Sequence, residues 1–292
     1  MKPRIAIVGP GRVGQSIGKI LCAAGYPVSA VVGRDISSTR AGADFIGAEL
    51  MATTHVERCC AAEVIFLTVS DDALGTVMEA MTQVDLNPGT LLVHCSGLHT
   101  TRIFAPLDPE AHNLETLSLH PLQTFASPVA GSTALPGSYC SLQGEDVAIE
   151  RGYTIVEDLG CRGFVIDAAH KIRYHAAACM VSNYVTTLMD AASELCADIP
   201  GAEEIFPTAF NSLIEAAVRN STEVGTQHAL TGPIVRGDCG TLATHVQEIQ
   251  RSRLDLLPIY RVLAHQTLEL ALKSGRLEDD CATQMRNTLD LT

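Results

Sequence analysis

The sequence predicts an α/β chain in which a domain built on a parallel sheet, residues 1–167, precedes an all-helical domain, residues 168–292. Three observations carry this expectation. Up to about Asp167, short apolar runs alternate with helix-like segments, the grammar of a parallel α/β sheet. A glycine-rich turn, Gly9-Pro10-Gly11-Arg12-Val13-Gly14, lies between the first apolar run and the first helical segment. From Ala168 onward the strand-like runs stop, and Ala-rich sequence, strongly helix-favouring, takes over.

The elements follow in order. Ile5–Val8 is the first strand, Gln15–Ala24 a helix that Gly25 stops, and Val28–Val32 the second strand. Val64–Val69 and Thr90–His94 are continuous apolar runs of the kind buried on both faces of a parallel sheet. Asp71–Met81 reads as a helix with an acidic first turn, favourable at the positive end of its dipole. Leu114–Leu119 and Tyr139–Leu142 read as later strands, Asp146–Leu159 as a helix and Gly163–Ile166 as the last strand. Beyond Asp167, helices are expected over Ala168–Cys196, Ala202–Asn220, about Cys239–Leu256, and Pro258–Lys273. The boundary is a change of secondary-structure pattern with no flexible spacer.

Composition limits the function classes. The 292 residues are 47% hydrophobic and 18% charged, a globular balance, and the formal net charge is −13. Such an acidic chain is not expected to bind nucleic acid or an anionic membrane. If its ligand carries phosphate, positive charge must be placed locally against the overall field. Ten cysteines are scattered without any CxxC pair, and only Cys59 and Cys60 are adjacent. They are expected to be free thiols packed as small apolar residues. The N-terminus runs directly into a strand, and Ile5–Val8 is too short for a secretory signal or membrane span. A cytoplasmic protein is the expectation.

The glycine turn matches G-x-G-x-x-G in its required context, after a strand, before a helix, and with a second strand about twenty residues on. This is the dinucleotide-binding arrangement of a Rossmann-type domain. Gly9 makes the tight turn, Gly11 lets the backbone approach a pyrophosphate, and Gly14 lets helix and strand pack closely. The free N–H groups at the helix start, from Arg12 and Val13 onward, then hold the anion. Gly18 keeps the same helix face small. The end of the second strand reads Gly33-Arg34-Asp35-Ile36-Ser37-Ser38-Thr39-Arg40. Arg34 stands where the 2′-phosphate of NADP would lie, with Ser37, Ser38, Arg40 and Arg12 as further donors. Asp35 is the competing signal, because a one-residue shift would make it the ribose-binding acid of an NAD enzyme. NADP is the expected cofactor.

Ligands of open parallel sheets lie across the carboxyl ends of the strands. Three segments end there: Thr68-Val69-Ser70-Asp71-Asp72, His94-Cys95-Ser96-Gly97 and Leu119-His120-Pro121-Leu122-Gln123. Val69, Ser70 and Cys95 are expected along the cofactor, and Ser96 and His120 near the substrate. A structural, hydrogen-bonded role for either histidine stays open. Cys95 beside His94 suggests a thiolate nucleophile, which nothing else in the chain supports.

In the helical region Lys171, His175 and Ser182 share one face at spacings of four and seven. The Ala-rich surroundings suggest a largely buried helix, in which Lys and His need a purpose. The segment Leu230-Thr231-Gly232-Pro233-Ile234-Val235-Arg236-Gly237-Asp238 precedes a helix capped by Asp238. Thr241 and His245 are four apart on that helix, and Arg236 sits just before it, suited to gripping a carboxylate.

Taken together, the glycine fingerprint, HCSG, LHPLQTF, KIRYHAAACMVSNY and LTGPIVRGD resemble a family of Rossmann-like reductases with a C-terminal helical domain of long-unassigned function. That family is related to pyrroline-5-carboxylate reductase and to ketopantoate and 3-hydroxyisobutyrate dehydrogenases. The resemblance covers nearly the whole chain. It implies an NADPH-dependent reductase of a small 2-oxo acid, ketopantoate first among them, acting as a homodimer. The superfamily motif K-x-x-x-N has its Lys at Lys171, which implies proton donation to the substrate carbonyl. His175 stands where that motif has Asn, and Asn183 is the candidate to supply the Asn role. Arg236, Thr241 and Asn183 would orient the carboxylate substrate, with His245 beside them. Three alternatives accompany this expectation: reduction of a cyclic imine, an NADPH sensor without catalysis, and a metal site drawn from His94, His120, His175 and His245. No spacing demands the metal.

Overall fold

The computed structural model describes residues 1–290. It separates into two compact units, Met1–Ser182 and the residues from Asn183 onward. The strands end at Val165, close to the expected boundary, but the first helix beyond them packs with the sheet unit.

The first unit holds an eight-stranded sheet in the order β3-β2-β1-β4-β5-β6-β7-β8. The strands are β1 (Ile5–Val8), β2 (Val28–Val32), β3 (Ala52–Thr53), β4 (Val64–Leu67), β5 (Leu91–His94), β6 (Glu115–Leu122), β7 (Tyr139–Gly144) and β8 (Arg162–Val165). All neighbours are parallel except β6 and β7. The link between those two contains only the short helix α4 (Pro128–Ala134; α1 to α3 are given below), too little for a full crossover. The reversal between β1 and β4 is the crevice where an open sheet of this type binds its ligand.

Alternation sorts the side chains onto two buried faces. Ile5, Ile7, Phe66, Val93, Leu117, Leu119 and Leu142 pack with α1 (Arg12–Ala23), α2 (Ile36–Ile46) and α5 (Asp146–Asp158). Ala6, Val8, Ile65, Leu67 and Leu92 pack with α3 (Asp71–Met81) and a 3-10 segment, Thr101–Leu107. Apolar spacing does not mark α2, whose first turn is Ser- and Thr-rich. It forms because the Asp35 side chain caps it and Gly47 closes it at φ +94°.

The continuous helix expected over Ala168–Cys196 is corrected to two, α6 (Lys171–Val181) and α7 (Asn183–Leu195). Ser182 leaves the helical region at φ −125° and ψ −75°. Ser and Asn compete with helical hydrogen bonding, which explains the break at this pair. The expectation of a largely buried helix is also corrected. On α6 only Lys171 is buried, and Ile172, Met180 and Val181 are exposed.

The second unit comprises α7, α8 (Ala202–Val224), the short α9 (Thr226–Ala229), α10 (Cys239–Ser252), α11 (Leu257–Lys273) and α12 (Asp279–Asp290). Its core is built almost wholly from α10, α11 and α12, through Leu242, Val246, Ile249, Leu268, Ala271, Met285 and Leu289. α12 has no counterpart among the expected helices, since its sequence is mostly polar and its apolar residues are few. Among the described residues, no helix is long and apolar enough to cross a membrane.

Candidate active site

The glycine loop joins β1 to α1. Gly9 has φ +89°, its N–H donates to Val32 O at 2.8 Å, and a Cβ there would stand 2.4 Å from Val69 Cγ1. A Cβ on Gly14 would lie 2.3 Å from Thr68 Oγ1 and 2.6 Å from the Gly9 carbonyl. Neither position has room for a side chain. Gly11 differs, because a Cβ there would meet nothing within 4 Å. Its open side adjoins the start of α1, which no side chain caps. An uncapped helix start with open access is what an entering pyrophosphate requires. Pro10 packs on α2 against Gly42, and Arg12 is exposed. Thr68, which the sequence does not mark as more than part of a strand end, clamps the turn by donating to Gly9 O at 2.7 Å.

At the end of β2, Arg34 and Asp35 are both exposed, and Asp35 caps α2. Asp35 Oδ1 accepts from the Ser38 N–H at 2.8 Å, and the bonds from this turn hold its carboxyl below the usual range. Its charge is thus turned to the start of α2. Arg34 and Ser37 are exposed, and Gly33 is kept small by Thr39, whose Oγ1 would lie 2.2 Å from a Cβ.

The carboxyl ends of β5 and β6 bring a cluster of His94, His120, Lys171 and His175 beside this cradle. His94 is fully buried, and its Nδ1 accepts from the Ser96 N–H at 3.2 Å. Burial, with Lys171 nearby, pulls its pKa down to about 3, so it is neutral. His120 shares a 3.2 Å hydrogen bond between Nδ1 and Tyr174 Oη, and its ring meets His175 edge-on at 5.6 Å. Burial, Lys171 and His175 together lower His120 to about 4. Gly97 makes the contact possible, since a Cβ there would lie 2.3 Å from His175 Cδ2 and 2.9 Å from His120 Nε2.

Lys171 opens α6 with no exposed surface, and its Nζ has no hydrogen-bond partner. Burial lowers its pKa to about 8, while Cys95 and the Asp71 carboxylate at the start of α3 act the other way. A buried, unpaired ammonium is costly and marks a site rather than a scaffold. The Cys95 thiol is pushed up to about 12 by burial, so it is not a thiolate at neutral pH and the nucleophile idea falls. Ser96 Oγ accepts from the Leu98 and His99 N–H groups at 3.1 and 3.0 Å, which makes it the organiser of the turn. Val69 packs on Gly9, and Ser70 is exposed at the start of α3. Asp71 and Gly97 belong to the strand-end segments expected at the site but were given no role of their own there, and Tyr174 was not among the candidates. The signal that could have found Tyr174 is its spacing, three residues after Lys171 on the same helix face.

In the second unit, Thr241 donates Oγ1 to Asp238 Oδ2 at 2.6 Å and its N–H to Oδ1 at 2.9 Å, completing the cap of α10. The Thr241 hydroxyl is therefore already engaged. His245 Nδ1 pairs with Tyr260 Oη at 2.9 Å, and Arg236 is exposed. Asn183 begins α7. Among the described residues, no group of three or more His, Cys, Asp or Glu is arranged to hold a metal ion.

Comparison with known proteins agrees with this architecture. Residues 1–121 match the model of a Rossmann-like domain, and residues 138–267 match a domain of unknown function, DUF2520. A sequence comparison with curated proteins finds no match. A candidate NADP oxidoreductase from Bacteroides fragilis superposes with a TM-score of 0.75 at 20% identity, covering 92% of this chain and 98% of that one. A protein from Thermotoga maritima gives 0.64 at 22% identity, with coverage of 93% and 99%. An imine reductase from Myxococcus stipitatus in complex with NADP+ gives 0.60 at 18%, with coverage of 97% and 99%. At such identities the likeness is one of fold. With its strand order, glycine cradle and helical second unit, the chain is a Rossmann-type sheet unit followed by an all-helical unit, similar to the Rossmann-like model over residues 1–121 and to the DUF2520 model over residues 138–267.

Proposed function

We propose that the chain is an NADPH-dependent reductase of a small 2-oxo acid, with ketopantoate as the first substrate to test. The observation that carries this reading is Lys171, a wholly buried and unpaired ammonium at the cofactor edge of the sheet. The fold likeness to a candidate NADP oxidoreductase supports the reaction class.

The residues present fit the cofactor. The open side of Gly11 and the start of α1 would hold the pyrophosphate, with Pro10, Val13 and Gly14 shaping the turn. Arg34, Ser37 and Arg12 would hold the 2′-phosphate, and the segments at Gly33, Val69, Ser70 and Cys95 would border the rest. NADPH supplies the hydride. The protein supplies the proton and the orientation. His175 is half-buried against His120 and Gly97, so it is the group able to touch a carbonyl oxygen. Lys171, enclosed behind it and largely ammonium below about pH 8, holds the positive charge that favours a developing alkoxide. Arg236 and Asn183 are proposed as ligands of the substrate carboxylate, with Thr241 and His245 nearby in sequence, on the sequence argument alone.

Fluorescence titration with NADPH and NADH, followed by NADPH oxidation with ketopantoate, tests the reading. NADPH preference with turnover supports it, and NADH preference overturns the cofactor assignment. If Lys171→Ala keeps full turnover while His175→Ala abolishes it, Lys171 has no part in the chemistry. The fold likeness to an imine reductase bound to NADP+ favours one second reading, reduction of a cyclic imine, in which the proton donor is less necessary. Turnover of pyrroline-5-carboxylate without turnover of ketopantoate would select it.

We also propose a homodimer. α7 buries no residue and α8 buries only Ala202, while Tyr184, Ile205, Leu213, Val218 and Val224 are exposed. So much apolar surface on neighbouring helices calls for a cover, and a second copy is the one proposed. Sedimentation equilibrium giving a monomer at micromolar concentration would reject it.

A further inference from the structure

Four buried side chains in the sheet unit carry polar atoms with no protein partner. His94 ends β5, Ser118 lies on β6, Ser141 on β7, and Lys171 opens α6. Strand register places the first three on one face. Ser118 aligns with His94 in the parallel β5–β6 pair, and His120, two residues on, faces Ser141 in the antiparallel β6–β7 pair. The intervening Leu117, Leu119, Cys140 and Leu142 all belong to the apolar core of the opposite face. His94 Nε2, Ser118 Oγ, Ser141 Oγ and Lys171 Nζ are shut away from solvent without a hydrogen bond. The Thr100 backbone acts on His94 and Ser141 on the Tyr174 hydroxyl through weak contacts, and no regular hydrogen bond reaches His94 Nε2 or Ser141 Oγ. Buried polar groups are overwhelmingly paired, and a cluster of unpaired ones marks a place for internal water.

We propose that His94, Ser118 and Ser141 line a closed, water-holding compartment beneath Lys171, which solvates its ammonium and carries protons between it and the His120–Tyr174 pair. Ser118 and Ser141 are then positioning residues, acting on Lys171 through water. The charged and titratable groups that act on Lys171 or feel it are His94, Cys95 and His120 from the sheet edge and Asp71 from α3, while His99 from the following turn acts on His94. Tyr174 and His175 stand at the compartment mouth, where Tyr174 Oη is hydrogen bonded to His120 Nδ1. In the transfer, one proton enters at that mouth and one proton is gained by the Lys171 amine, with no net change in between. The value of this device to catalysis rests on the reductase reading above, but the hydration of Lys171 does not.

The chain has four lysines, Lys2, Lys19, Lys171 and Lys273, so labelling lysine with 13C at Cε gives a spectrum of four resonances. Lys171→Met assigns the one of interest. The titration is followed in the wild type, in Ser118→Ala and Ser141→Ala, and in the double variant. Loss of the hydroxyls is expected to lower the Lys171 midpoint by about one pH unit, a tenfold loss of proton affinity, with the other three lysines unmoved. Ser141→Thr, which keeps a hydroxyl, should restore the wild-type midpoint. An unchanged midpoint in the folded single variants overturns the compartment. If the midpoint moves while no carbonyl or imine is reduced, the compartment stands and the reductase reading fails.

Discussion

Lys171→Met is expected to stabilise the protein while disabling it. The wild-type side chain has no exposed surface and no partner for Nζ. Burial moves its pKa from 10.5 to about 8. At about 1.4 kcal/mol per pH unit, holding the ammonium inside costs the fold on the order of 3 kcal/mol. The sign follows from the folded value lying below the unfolded one. The penalty is complete below about pH 8, shrinks as the pH rises from 8 towards 10.5, and is absent above that. Methionine is unbranched and nearly as long, so it removes the charge and keeps most of the packing. After a small allowance for repacking, the variant should gain roughly 2–3 kcal/mol at pH 7. That gain corresponds to about 5–10 °C in Tm for a cooperative unit of this size. Urea denaturation of both proteins at several pH values between 7 and 10 reads the difference directly. A variant no more stable than wild type at pH 7, or a gap that stays constant up to pH 10, refutes the argument that Lys171 is a desolvated ammonium.

Arg34→Ala should weaken NADPH binding by about 10–100-fold, the loss of a charge-assisted contact, and leave NADH binding unchanged in fluorescence titrations. Equal losses for both cofactors would remove Arg34 from the 2′-phosphate. Gly14→Ala forces a Cβ to 2.3 Å from Thr68 Oγ1 and 2.6 Å from the Gly9 carbonyl. It is expected to cost about 1–3 kcal/mol by overpacking and to abolish cofactor binding, measured by melting and titration together. Asp238→Ala removes the cap of α10, and its effect should depend on pH. The Asp238 carboxyl is held below its ordinary value, first by the Thr241 side-chain hydrogen bond. Its stabilisation is therefore present above pH 3.8 and is lost as the pH falls further, so the gap in Tm from wild type should close in acid. A gap independent of pH would show that the carboxylate charge does not contribute.

The sequence by itself determined the class of the first unit and the glycine turn between β1 and α1. Gly9 and Gly14 are readable because backbone sterics force glycine at a tight turn and at close packing, whatever the rest of the chain does. The continuous apolar runs of β4 and β5 are readable because strands buried on both faces cannot carry much else. Local chemistry also announces caps, and Asp238 before α10 was legible on that account. Tertiary structure committed Asp35 Oδ1 to the Ser38 N–H at the start of α2, because only the fold brings that N–H to the carboxylate. It also decided that Lys171 is the one buried residue of an otherwise exposed α6, which helical spacing cannot reveal. The polar face formed by His94, Ser118, His120 and Ser141 joins three strands far apart in sequence. Its alternation is visible in each strand singly, in Ser118-Leu119-His120 above all. Strand order and register alone bring the pieces together, because the burial and electrostatic environment that tune these groups are properties of neighbours supplied by the fold.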